Sequence, residues 1–133
     1  MKILQPPGWP RPKGYANGVV ASGRLVFVAG QIGWDASSRV VSDDLAAQVR
    51  QALENTVAVL AEAGAKPEHV TRMTWYILDR DDYKRQQGAI GAAYREVMGR
   101  HFPAMAVLEV KGLMEDGAKV EIETTAVVPD GQP

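Results

Sequence analysis

Apolar and polar positions along this chain alternate in short β-like runs, separated by two stretches of helical period. Between residues 18 and 31, two β-rich runs at 19–21 and 25–29 flank Ser22-Gly23-Arg24, which reads as a hairpin. Gly30 then permits a bend or a close backbone approach at the end of the second run. Residues 34–39 are a turn by composition, and Val40-Val41 a short strand. Ser42 or Asp43 caps a helix in which Leu45, Val49, Leu53, Val57 and Leu60 recur at helical spacing and which Gly64 stops. That stripe is core packing, while Arg50 and Glu54 lie on the solvated side.

The second half repeats the alternation of strand and helix. Residues 70–78 are rich in Thr, Trp, Tyr and Ile and form a strand in which Met73, Trp75 and Ile77 share a face. Asp79 to Asp82 begin a second helix, with acids where its dipole favours them, and its apolar stripe takes in Tyr83, Ile90, Tyr94, Val97 and Met98. Gly88 and Gly91 weaken that helix by up to about 1 kcal/mol each relative to alanine, so a kink or a close contact is expected there. Residues 104–110 are almost unbroken apolar and predict a strand covered on both faces. After a break at 114–117, residues 119–128 alternate, with Val120 and Ile122 on a dry face and Glu121 and Glu123 on the other.

Length adds one constraint: 133 residues make a single domain, 1–133. Charge adds another, since a formal net charge of -1 with scattered basic residues lacks the basic surplus of a nucleic-acid or anionic-membrane binder. With no cysteine there are no disulfides, thiolate nucleophiles or cysteine-ligated metals. No stretch is long and apolar enough for a membrane span, and the first residues are too short an apolar run for a signal peptide, so a cytoplasmic location is the default expectation. The Pro/Gly-rich ends, 6–14 and 129–133, read as loosely held arms.

His69 and His101 are the only histidines and stand in no metal-ligating constellation, so packing or surface roles are expected and no metal or cofactor is called for. There is no nucleophile elbow, Walker loop or dinucleotide fingerprint. The Gly-x-x-Gly letters at 88–91 fall inside helical periodicity without basic neighbours on both sides, which speaks against an RNA-binding loop. The acid pair Glu121 and Glu123 is open to two readings: a solvated strand surface, the usual case, or a carboxylate at a cleft that holds a water or accepts a proton.

Phe102-Pro103-Ala104, the apolar strand carrying Glu109 and Val110, and Val120-Glu121-Ile122-Glu123 resemble the C-terminal signature of the Rid family, also known as YjgF or L-PSP. The likeness extends upstream through Gly30-Gln31-Ile32, Tyr15 before an apolar strand, and the helix segment Gln51 to Asn55, and so covers nearly the whole chain. It implies an α+β domain with a mixed six-stranded sheet and two helices on one face, assembled as a homotrimer with clefts between subunits. It further implies a small-metabolite cleft containing Tyr15, Gly30, Met105 and Val107, with Glu121 as the catalytic acid that positions water for attack on an enamine or imine. The segment before Pro103 is about a turn longer than in the family's familiar deaminases, and Gly91 falls near an asparagine that those enzymes place at the cleft.

The chain departs from the family at two positions. Met105 stands where the catalytic members carry the arginine that binds the substrate carboxylate, and Ala29 stands where many carry a hydroxyl residue. Arginine offers five donors and a permanent charge, methionine only a weak acceptor. The implied function is therefore hydrolytic, deaminase-type action on an enamine, imine or related metabolite that is less acidic or bulkier than the family's 2-imino acids. Two alternatives stay open: a non-enzymatic ligand-binding or chaperone-like trimer, and a ribonuclease. The sequence also leaves open whether Arg95 or Arg72 from a neighbouring subunit supplies the missing charge.

Overall fold

The computed structural model describes residues 1–131. Its elements in chain order are β1 (Lys2–Leu4), β2 (Gly18–Val20), β3 (Arg24–Ile32), α1 (Leu45–Glu62), a 3-10 turn (Pro67–His69), β4 (Val70–Ile77), α2 (Arg80–Arg85), α3 (Gln87–Met98), β5 (Ala104–Glu109) and β6 (Val120–Val128). The six strands expected in one sheet are divided: β3, β6, β4 and β5 lie in that order in a four-stranded sheet, and β1 and β2 form a separate pair. The sheet is mixed: β6 runs antiparallel to both β3 and β4, whereas β4 and β5 are parallel. The parallel pair requires a crossover, which α2 and α3 supply. The fold is α+β, with α1 and α3 packed on one face of the sheet.

That face is dry because β4 and β6 each present every second residue to it. Met73, Trp75 and Ile77 from β4 join Val120, Ile122, Ala126 and Val128 from β6, under Leu45, Val49, Leu53 and Leu60 from α1 and Ile90, Tyr94 and Met98 from α3. A register shift between Val70 and Arg72 turns Val70 inward as well, so both ends of β4 enter the core. Helix α1 begins one residue beyond the expected cap: Asp44 accepts from the Ala47 amide, and Ser42 Oγ accepts from the Asp44 amide. It ends at Gly64, whose φ of 69° allows the Gly64 and Ala65 amides to reach the carbonyls of Ala61 and Leu60.

Buried among these apolar residues is Gln48, fully enclosed in the first half of α1. Its Nε2 donates to the carbonyls of Ser42 at 2.7 Å and Gly117 at 2.9 Å, and its Oε1 accepts from the Lys119 amide at 2.8 Å. One side chain thus joins the helix start to the turn entering β6. Asn55 does comparable work two turns on, donating to the carbonyls of Ile32 and Trp34 and so holding the end of β3.

Several expectations are corrected. The hairpin between β2 and β3 does not form; β2 pairs with β1, and β3 pairs with β6. Gly23 has φ 145° and lies against the carbonyl of Val128, so the Ser22-Gly23 link is a crossing point and not a tight turn. The stretch expected as one helix is two, because Gln86 closes α2 and its Oε1 reaches the Ala46 amide of α1. Neither glycine marks the break. Val40 makes a single bridge to Trp34 and no strand. The arm at 6–14 is held: Gln5 Nε2 donates to the carbonyls of Trp9 and Pro10, and Asn17 Nδ2 donates to Gln5 Oε1. The arm expected at 129–133 lies partly outside the described residues, at Gln132 and Pro133.

The apolar strand expected to be covered on both faces is β5, and in the single chain it is the sheet edge, with Val107 and Leu108 exposed. On the face away from the helices, Leu25 and Phe27 are 61% and 72% exposed. No helix is long and apolar enough to cross a membrane among the described residues.

Candidate functional site

Where the edge strand β5 meets helix α3, the fold leaves a cavity of about 580 Å³. Its floor is sheet: Trp75 of β4 with Met105 and Val107 of β5, which the parallel register sets side by side as Met73 with Met105 and Trp75 with Val107. Its wall is helix, with Tyr83 from α2 and Ile90, Gly91, Tyr94 and Arg95 from α3. The rim is the segment before β2, where Lys13, Gly14 and Tyr15 approach because the Ala16 amide donates to the Pro103 carbonyl at 2.9 Å. Tyr94 and Phe102 stack with ring centroids 5.5 Å apart, and the Tyr94 hydroxyl donates to the His101 carbonyl. Burial pushes the Tyr94 and Tyr83 phenols up, so both are neutral near pH 7. Trp75 is 2% exposed, and its Nε1 has no partner among the described residues.

Glu121 lies elsewhere. It registers with Tyr76, the strand neighbour of Trp75, and neighbouring strand residues point to opposite faces. Its carboxylate therefore belongs to the face away from the helices, where it lies on Gly30: a Cβ at that glycine would stand 2.6 Å from Glu121 Oε2 and 2.9 Å from its Cγ. Beside it the Tyr76 hydroxyl donates to Glu123 Oε1 at 2.9 Å. That hydrogen bond, followed by desolvation and the charges of Glu123 and Glu121, raises the Tyr76 pKa above its ordinary value and keeps the phenol a donor. A second groove on this face, about 510 Å³, runs past Phe27, Ala29, Arg72, Thr74 and Glu123.

The site residues expected from sequence thus fall into two groups within one chain. Tyr15, Met105 and Val107 share the cavity on the helix side, and Gly30 and Glu121 touch each other on the opposite face. Of the two cations considered as substitutes for the missing arginine, Arg72 lines the groove and Arg95 lines the cavity of its own chain. Sequence reasoning missed Trp75, Phe102 and Tyr83 as lining residues; the spacing of Gly91 and Arg95, one helical turn apart, was the legible hint for that wall. Both histidines serve the fold, His69 Nδ1 accepting from the Lys66 amide and His101 Nε2 lying 2.6 Å from the Val70 carbonyl. Among the described residues no cluster of three or more His, Cys, Asp or Glu side chains is placed to hold a metal.

Comparison with known proteins gives a consistent result. The family model described as Endoribonuclease L-PSP matches residues 10–128. A 2-iminobutanoate/2-iminopropanoate deaminase of Salmonella typhimurium is 35% identical over 116 residues, spanning 85% of this chain and 86% of that protein. A solved Yersinia pestis protein of the conserved Rid family, YyfB, of unknown function, superposes with a TM-score of 0.84 at 30% identity, covering 96% of this chain and 98% of its own. Escherichia coli TdcF, solved with bound serine, gives a TM-score of 0.69 at 28% identity over 96% and 99% of the two chains.

Proposed function

Since the chain belongs to the Rid (endoribonuclease L-PSP) family, we propose that it is a hydrolytic deaminase of imines or enamines, of an arginine-lacking subgroup, acting at clefts between the subunits of a homotrimer. The observation that carries the catalytic half of this reading is the contact of Glu121 with Gly30: a half-buried carboxylate lies directly on bare backbone, at a strand surface with no helix over it. A carboxylate held there has the chemistry to orient a water and take its proton as the water adds to an iminium carbon. Collapse of the resulting carbinolamine releases ammonia and leaves a carbonyl product.

The same geometry supports that assembly. Glu121 and the Tyr15, Met105 and Val107 group lie on opposite faces of one sheet, so a cleft that uses both must draw them from different copies. Exposed Leu25 and Phe27 on the bare face and Leu108 on the edge strand supply apolar surface for that contact. We further propose that the cleft takes a small metabolite and that the protein works in the cytoplasm.

Met105 sets the expected substrate preference. A thioether gives no charge-assisted contact to a carboxylate at this position, so a three- or four-carbon imino acid loses both affinity and orientation. The test is to generate imines from a panel of amino acids with an amino-acid oxidase and follow ammonia release above the spontaneous rate. Acceleration is expected for large, apolar side chains, with 2-iminopropanoate at least tenfold poorer. No acceleration with any imine would sink the hydrolytic reading and leave a ligand-binding trimer. Sedimentation equilibrium should return the mass of three chains.

A further inference from the structure

The helix-side cavity carries a charge that the strand position does not. Its lining contains two cations, Arg95 and Lys13, and no acid. We propose that Arg95 anchors the carboxylate of a bulky, aromatic-bearing ligand in this cavity, replacing from α3 the charge that Met105 does not supply from β5. This rests on the reading of the cavity as the metabolite-binding part of the cleft, and it narrows the ligand class to organic acids with a large flat side chain.

Two independent observations converge on it. First, Arg95 is uncommitted: the ion pairs among the described residues join Arg50 to Glu96 and Arg85 to Asp82, and Arg95 takes part in neither. Second, residue 91, one turn earlier, is glycine, and a Cβ there would stand 3.2 Å from Arg95 Nη1. The guanidinium thus lies back over bare helix at the cavity wall, in space that a side chain at 91 would contest.

The rest of the lining sets the shape. Tyr83, Tyr94, Phe102, Ile90 and Met105 line the same cavity with apolar and aromatic surface, and Tyr94 and Phe102 are already stacked. A volume of about 580 Å³ exceeds what a three-carbon acid fills and lies within the range of sites for larger metabolites. Guanidinium in a fork suits a carboxylate bidentately, and aromatic rings favour a planar partner.

The experiment uses stable acids, so that binding is read apart from turnover. Calorimetric titration of the full-length protein with indole-3-acetate and 3-phenylpropanoate, and with their primary amides, compares charged and uncharged ligands of one shape. At least one acid is expected to bind tenfold or more tightly than its amide, and Arg95→Met to abolish that preference while leaving amide affinity within about twofold. Arg95 is solvent-exposed, so the thermal midpoint of Arg95→Met should stay near that of the parent. Gly91→Ala, which favours the helix but crowds the guanidinium, should weaken acid binding severalfold without loss of stability. Equal affinities for acid and amide, binding of neither acid, or an acid preference surviving in Arg95→Met would each overturn the proposal. Acid preference without ammonia release from any imine would leave it standing and remove the hydrolytic reading; imine hydrolysis without acid preference would do the reverse.

Discussion

Gln48→Leu is expected to cost about 2–3 kcal/mol of stability, a large share of the 5–15 kcal/mol typical of a domain, and to lower the thermal midpoint by roughly 10 °C. Leucine fills much of the same space but leaves the carbonyls of Ser42 and Gly117 and the amide of Lys119 without their partner. Those groups are only partly buried, so water recovers some of the loss, which is why the expected cost stays near that of three modest hydrogen bonds. Gln48→Glu should do no better, because a carboxylate cannot donate to two carbonyls. Gly33→Ala strikes the same junction from the other side: a Cβ at 33 would stand 2.6 Å from Gln48 Cα and 2.8 Å from its carbonyl oxygen. These are backbone atoms, so relief requires moving α1 off the sheet, and the cost should match or exceed that of Gln48→Leu. Urea denaturation of the three variants checks all of this. A change below about 1 kcal/mol for Gln48→Leu would show that the polar junction contributes little.

The elements read most directly from the sequence are those whose burial is decided locally. Leu45, Val49, Leu53 and Leu60 recur at helical spacing and are the buried stripe of α1; Val120 and Ile122 alternate with Glu121 and Glu123 and face the core as the alternation requires. What stayed hidden was set by partners far along the chain. Strand β3 pairs with β6, about a hundred residues later, which no turn signal at Ser22-Gly23 encodes. The division between α2 and α3 depends on Gln86 reaching Ala46 on another helix. The site was legible as a set of residues and not as an arrangement. Tyr15, Met105 and Val107 do come together, but that Glu121 lies across the sheet from them follows only from the β4 register, in which Trp75 and Tyr76 take opposite faces. Arg95 was legible as one of two cations that could replace the missing arginine from a neighbouring subunit, but not that the crossover from β4 to β5 sets α3, and Arg95 with it, at the cavity that Met105 lines in its own chain.

Gly30→Ala is expected to lower ammonia release at least a hundredfold while changing stability by less than about 1 kcal/mol. Both halves of that expectation come from which atoms the new methyl would meet. At 2.6 Å from Oε2, 2.8 Å from Cδ and 2.9 Å from Cγ of Glu121, it overlaps only the outer part of a flexible side chain, which can swing aside at small energetic cost. The swing moves the carboxylate by about the width of the contact it loses, and a general base displaced that far no longer holds its water in line with the reacting carbon. Gly33 is the internal control, since the same substitution there meets the Gln48 backbone and not Glu121, and should lower stability without displacing the carboxylate. Glu121→Gln keeps the shape and removes the basicity, so it should match Gly30→Ala in lost turnover while leaving ligand affinity nearly unchanged. If Gly30→Ala and Glu121→Gln both release ammonia at the parental rate, Glu121 is a strand-surface acid and the hydrolytic centre is not at this contact. If Glu121→Gln alone is inactive, the acid acts but tolerates displacement, and its contact with Gly30 is not what aligns the water.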